Sequence, residues 1–168
     1  MITVEHDRAW HDRVSETIAA EKFSNIEALL IEPSEVLSGE ESPWDPSDPA
    51  LYQSGIPGYR GVSFYSYAAA IDRYPDGFFD LILVDGRARS SCMKHAMSKA
   101  CPGGCLVLDD AERSRYQRAM ALFQLPQWTG RMIRGLRPYP FQGWRNFKSY
   151  SFQGFLMGST AIWEKSIE

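Results

Sequence analysis

Apolar residues fall in short runs separated by turn residues, and the runs alternate between two periods. Ile2-Thr3-Val4 is a β-type run that ends in Glu5-His6-Asp7. Trp10, Val14 and Ile18 then recur at the spacing of one helix face, with Asp7 placed to cap that helix. Ile26–Ile31 is a second apolar run, too short for a helix and closed by Glu32-Pro33, so it reads as a buried strand. A helix is expected over Tyr65–Arg73. Phe79–Val84 reads as a strand of the kind buried on both faces of a parallel sheet, ending in Asp85-Gly86-Arg87.

The next helix, about Arg89 to Ala100, carries Cys92, Met93, Ala96, Met97 and Ala100 on one stripe and is stopped by Pro102-Gly103-Gly104. Cys105–Leu108 forms a strand ending in Asp109-Asp110. Asp109 and Glu112 have capping-box spacing, and Tyr116, Ala119, Met120 and Phe123 stripe the helix that follows. Beyond Pro126 the alternation stops. Trp128–Leu136 and Thr160–Trp163 read as two late strands joined by a long hairpin-like connection.

Alternating strands and helices through residue 123 predict an α/β fold, a doubly wound, mostly parallel sheet with helices on both faces and an antiparallel C-terminal strand. The exception is 33–61, where 14 of 29 residues are Pro, Gly or Ser. That stretch is an irregular loop insertion, either a functional lid with Trp44, Tyr52 and Tyr59 as stacking groups or a disordered insertion.

With 168 residues, 44% hydrophobic and 23% charged, the chain is expected to form one globular domain over 1–168. No apolar run approaches the roughly 18 residues of a membrane helix, and the first ten residues lack a signal peptide's basic and apolar regions. A cytoplasmic location without membrane association is therefore the default expectation. Cys92, Cys101 and Cys105 contain no CxxC pair and read as buried reduced thiols rather than a disulfide or zinc framework.

Charge is unevenly placed. Residues 1–86 hold 16 acids and 5 bases, and residues 87–168 hold 5 acids and 13 bases, within a net charge of −3. Over 112–150 there are eight bases (Arg113, Arg115, Arg118, Arg131, Arg134, Arg137, Arg145 and Lys148) against Glu112 alone. This is either a solvated basic face or a surface for an anionic small molecule; the pI of about 5.7 argues against nucleic acid.

In parallel sheets, ligands bind outside the carboxyl ends of the strands. Three of the four strands before residue 123 are followed at once by a carboxylate, Glu5, Asp85 and Asp109, and the fourth by Glu32. Glu5 is placed either to accept both hydroxyls of a ribose or to serve as a first-turn acid of a helix. Asp85, Asp109 and Asp110 are candidates to hold a magnesium ion, to position a substrate amine or hydroxyl, or, for the last two, to cap a helix. Arg87 and Arg89 either contact an anionic substrate group or salt-bridge their loop. His6 is a strand-end candidate base or an ordinary turn histidine.

VEHDRAW, FDLILVDGRAR, PGGCLVLDD and STAIWEK, in this order and spacing, resemble the class I, Rossmann-like S-adenosylmethionine-dependent methyltransferases. The resemblance implies methyl transfer from S-adenosylmethionine to a small-molecule acceptor (an enzyme of the 2.1.1 type), the acceptor being anionic if the basic stretch above serves it rather than forming a solvated face. It implies catalytic or acceptor roles for Asp85, Asp109 and Asp110, and cofactor contacts from Glu5, His6, Glu32, Asp85 and Gly86. A magnesium-binding branch of the family would use Asp85, Asp109 and Asp110, but expects a lysine where this chain has Ala88, so no metal site is assigned.

The family's acid-GxGxG loop has no counterpart. The first strand, its loop and a helix, roughly 30 residues, are expected to be missing. The chain then reads either as a fragment or late-started form of an enzyme, which is favoured, or as a degenerate member that borrows a strand, with a homo-oligomer as the corresponding partner expectation. The functional alternative is a non-catalytic binding or assembly module that has lost the cofactor site.

Overall fold

The strand and helix periods of the sequence are realised in a computed structural model that describes residues 1–36, 43–138 and 155–167. Arg145, Lys148 and the rest of the aromatic, glycine-rich connection at 139–154 lie outside the described residues, as do residues 37–42 of the loop. β1 (Ile2–Glu5), α1 (Arg8–Ala20) and β2 (Glu27–Leu30) form a βαβ unit with parallel strands, Ile2 opposite Glu27 and Glu5 opposite Leu30. Asp7 caps α1 as expected. Its side chain accepts from the Trp10 amide at 3.0 Å, satisfying one of the orphan first-turn N–H groups.

The described part of 33–61 is irregular apart from a 3-10 turn over Pro57–Tyr59 and a two-residue antiparallel ladder that joins β3 (Ser34–Glu35) to β4 (Val62–Ser63). The helix expected over 65–73 is divided: α2 (Tyr65–Ala68) tightens into a 3-10 turn over Ala69–Arg73. Then come β5 (Phe79–Val84), α3 (Arg89–Ala96), β6 (Ala100–Leu108), the short α4 (Gln117–Ala121), β7 (Trp128–Pro138) and β8 (Phe155–Lys165).

Strands β5 to β8 make a sheet in the order β5-β6-β8-β7, with β5 parallel to β6 and β8 antiparallel to both of its neighbours. The late antiparallel pair is thus present. The continuous doubly wound sheet is not: among the described residues β1-β2 is a separate two-stranded sheet, and no strand lies on the β1 edge away from β2 or on the β5 edge away from β6.

The boundary between α3 and β6 differs from the one the apolar stripe predicts. α3 ends at Ala96, four residues early, because Ala100 already pairs with Phe79 as the first residue of β6. Pro102-Gly103-Gly104 therefore lies inside a strand, where the register jumps between Phe79 and Leu81. A Cβ on Gly104 would stand 2.9 Å from the carbonyl oxygens of Cys101 and Phe79, so the irregularity needs glycine there.

The core joins one face of this sheet to α3 and α4. Ile82 and Val84 of β5 and Leu106 and Leu108 of β6 pack with Met93, Tyr116, Ala119, Phe123 and Trp163. Leu106 and Leu108 are fully buried, each stabilising the fold by roughly 1.5–3 kcal/mol relative to exposure. Leu81 and Leu83, which alternate with Ile82 and Val84, are 62% and 64% exposed. No residue of 1–36 is buried.

Candidate functional site

β1 ends on Glu5, and the chain turns at once into α1. Glu5 Oε1 accepts from the His6 amide at 2.6 Å and the Asp7 amide at 2.9 Å, and lies 2.7 Å from His6 Nδ1. No hydrogen bond among the described residues engages Oε2, and the side chain keeps 30% of its exposure. This leaves a carboxylate oxygen open at the carboxyl end of a parallel strand.

His6 sits beneath it among the rings of Tyr59, Phe64 and Tyr67, with Nε2 3.0 Å from Tyr59 Oη. Burial holds the imidazole below its ordinary range, against the opposing pull of Glu5. Both ring nitrogens are engaged, so His6 orients Glu5 and has no free nitrogen to serve as a base. Glu32 is held at the surface by Arg8 at 2.8 Å.

The ends of β5 and β6 converge on Arg89, the first residue of α3 and only 8% exposed. Its Nη2 bonds the Asp85 carboxylate and backbone carbonyl, both at 2.9 Å; Nε donates to the Gly86 carbonyl at 3.1 Å, and Nη1 lies 3.5 Å from Asp110. Asp110, in the left-handed region at φ 53°, also pairs with Arg113 at 2.7 Å. Asp109 accepts from Thr160 Oγ1 at 3.1 Å. Desolvation pushes the Asp85 carboxyl up; Arg89 pulls it down, and the neighbouring Asp109 and Asp110 add to the rise.

Asp85, Asp109 and Asp110 are therefore gathered, but around a guanidinium. Among the described residues no group of three or more His, Cys, Asp or Glu side chains is arranged to hold a metal ion. The capping box does not form either. Glu112 accepts from the Ser159 amide and hydroxyl, both at 2.9 Å, so it and Asp109 tie the turn after β6 to β8.

Tyr67 links the two groups of strand ends, touching His6 on one side and Gly86 on the other. A Cβ on Gly86 would overlap the Tyr67 hydroxyl. Desolvation raises the Tyr67 phenol above its ordinary range, so it stays protonated. The strand-end rule could not single out Tyr67, because it enters from the helix after the loop.

The described part of the loop is strapped over this rim. Arg118 bonds Asp45 at 2.9 Å and Asp48 at 3.0 Å, Arg115 Nη1 donates to the Gly55 carbonyl at 2.9 Å, and Ser90 Oγ donates to the Pro46 carbonyl at 3.1 Å. Two of the bases from the 112–150 run are thereby used inside the fold. Of the three candidate stacking groups, Tyr59 packs on His6, Tyr52 on His95, and Trp44 lies under Arg60 at 4.1 Å. The three cysteines are free thiols, each half-buried.

Two cavities flank Arg89 and the turn at 109–112. One, of about 30 Å³, lies under the strapped loop against Arg87 and Arg89; the other, an open cleft of about 410 Å³, is bordered by Glu112, Met120, Met132 and Ser159. Among the described residues no helix is long and apolar enough to cross a membrane.

The sequence matches no protein-family model, and no curated protein matches it. Solved structures do match. A Corynebacterium glutamicum protein superposes with a TM-score of 0.54 at 10% identity, over 99% of this chain and 61% of its own length. A Thermoplasma acidophilum protein, provisionally described as a methyltransferase, does so with a TM-score of 0.52 at 9% identity, over 98% of this chain and 56% of its own. The likeness is one of fold. This chain spans about three fifths of the length of these two structures.

The residues present fit S-adenosylmethionine only in part. Glu5 suits a ribose diol, offering an open anionic acceptor. The chain offers no glycine cradle after β1, and the space over Gly86 is taken by Tyr67. The fit is to the ribose edge.

Proposed function

We propose that the chain carries the ribose-binding and acceptor-binding strand ends of an S-adenosylmethionine-dependent methyl-transfer site. The observation that carries this reading is the placement of Glu5 at the end of β1 and of Asp85 and Asp109 at the ends of β5 and β6, joined through His6, Tyr67 and Gly86. The fold likeness to a protein provisionally described as a methyltransferase supports it. Glu5 Oε2 holds the ribose, with His6 fixing the carboxylate. Asp85, exposed at the end of β5 and oriented by Arg89, accepts a hydrogen bond from the acceptor's amine or hydroxyl, and Asp109 and Asp110 shape the same wall. The cofactor supplies an electrophilic methyl on a sulfonium. The chain's own part is positioning and exclusion of water by the strapped loop. No resident metal enters this reading.

Titration of S-adenosylhomocysteine into the 168-residue chain by calorimetry tests it. Binding in the micromolar range is expected, weakened about tenfold to a hundredfold in Glu5→Gln, which keeps the Oε1 acceptor but removes the charge offered to the ribose. No binding, or binding indifferent to Glu5→Gln, would overturn the reading in favour of a module without a cofactor site.

A further inference from the structure

The cavity of about 30 Å³ beneath the loop has an unusual wall. Four arginines line it, Arg87, Arg89, Arg113 and Arg115, with Ser54 and Gly55 of the strapped loop opposite. Two of the four are neutralised: Arg89 by Asp85 and Asp110, Arg113 by Asp110. The other two have no carboxylate partner among the described residues. Arg115 gives Nη1 to the Gly55 carbonyl and otherwise lies by the Tyr116 ring. Among the described residues Arg87 makes no side-chain hydrogen bond; its guanidinium lies 5.7 Å from the Tyr59 ring, and its Nε is buried with no acceptor among them.

A buried guanidinium N–H without an acceptor is costly, because its hydration has been lost and nothing replaces it. A positive surplus at the cavity wall compounds that cost. An oxyanion in the cavity offsets the charge shared by Arg87 and Arg115, and a turn of the Arg87 side chain toward it gives the unpaired Nε an acceptor. Size narrows the class. A cavity of about 30 Å³ holds about two water-sized groups, which suits the two oxygens of a carboxylate and is cramped for the four oxygens of a phosphate.

We propose that this arginine-walled cavity is a carboxylate-binding subsite, and that it seats the carboxylate of the methyl acceptor next to Asp85. The binding site stands on the cavity alone; its assignment to the acceptor rests on the methyl-transfer reading. The acceptor is then a small carboxylic acid that also carries the amine or hydroxyl to be methylated, its carboxylate held by Arg87 and Arg115.

The test titrates sodium acetate at constant ionic strength into the 168-residue chain and follows the arginine Nε–Hε signals by NMR. Saturable shifts at Arg87 and Arg115 are expected, with affinity of millimolar order for so small a probe. Arg87→Gln, read at Arg115, weakens binding about tenfold or more, Arg87→Lys restores part of it through charge alone, and Arg13→Gln on α1 leaves it unchanged. Amide spectra of each variant report the fold independently. Shifts linear in acetate and equal at Arg13 would overturn the subsite, as would an unchanged affinity in well-folded Arg87→Gln. Inorganic phosphate binding as tightly as acetate would overturn the carboxylate assignment. Repeating the titration with S-adenosylhomocysteine separates the two readings. Acetate binding where the nucleoside fails to bind leaves the subsite and removes its assignment to a methyl acceptor; the reverse removes the subsite and leaves methyl transfer.

Discussion

Gly86 stands between Asp85 and Arg87, where the family resemblance implies a cofactor contact. In the fold a side chain of the same protein makes that contact, since the Tyr67 hydroxyl occupies the space a Cβ would need. The two positions should therefore be coupled. Gly86→Ala is expected to destabilise by about 1–3 kcal/mol, the usual cost of overpacking, as Tyr67 is pushed away. In a Tyr67→Phe background the nearest remaining ring atom is 3.2 Å from the new Cβ, which a small shift accommodates. The same alanine should then cost less than half as much. A double-mutant cycle by urea denaturation reads the coupling directly; additive costs would show that Tyr67 is not what makes glycine necessary.

Elements whose signal is local were legible in the sequence. β5 appears as a continuous apolar run, although only one of its faces is buried where the run predicts two; the face of α3 appears as apolar periodicity, and the Asp7 cap of α1 as a residue type at one position. Where long-range pairing competes with local pattern, the pattern lost: Phe79 recruits Ala100 into β6, so a helical stripe ends early, and Ser159 and Thr160 take the acids that would have capped the next helix. The site divides the same way. The strand-end carboxylates could be read from sequence, whereas the contact of Tyr67 with Gly86 and the Arg87 Nε left without a partner among the described residues arise only from tertiary packing. The βαβ unit of β1, α1 and β2 shows what local signal cannot supply. Its periodicity is sound, yet Trp10 is 58% exposed and none of its residues is buried. A two-stranded sheet with an uncovered helix is marginal by itself. Its amides should exchange with solvent about a hundredfold faster than those of β5 and β6, through openings that leave the main core intact. Equal protection in a hydrogen-exchange experiment would mean that the unit opens only with the whole fold.

At the scale of the molecule, the β1-β2 sheet and the β5-β6-β8-β7 sheet present open edges among the described residues. β5 belongs to the core on one face, through Ile82 and Val84, but its outer edge carries no strand among the described residues, and Leu81 and Leu83 lie exposed on its other face. An uncovered edge flanked by apolar side chains is a template for pairing with another chain. Net charge does little to oppose this, because −3 on 168 residues gives weak self-repulsion, and Arg118 with Asp45 and Asp48 already ties acidic and basic parts of the chain together. The chain is accordingly expected to associate with itself at raised concentration, with a mass above 19.1 kDa by light scattering that falls on dilution. Leu81→Lys with Leu83→Lys should leave a monomer. Both side chains are already mostly in water, so the substitutions remove no core packing and should change unfolding stability by no more than about 0.5 kcal/mol each. Association that persists in the double variant would place the contact elsewhere, and a wild-type chain monomeric at every concentration would show that this edge is protected without a partner strand.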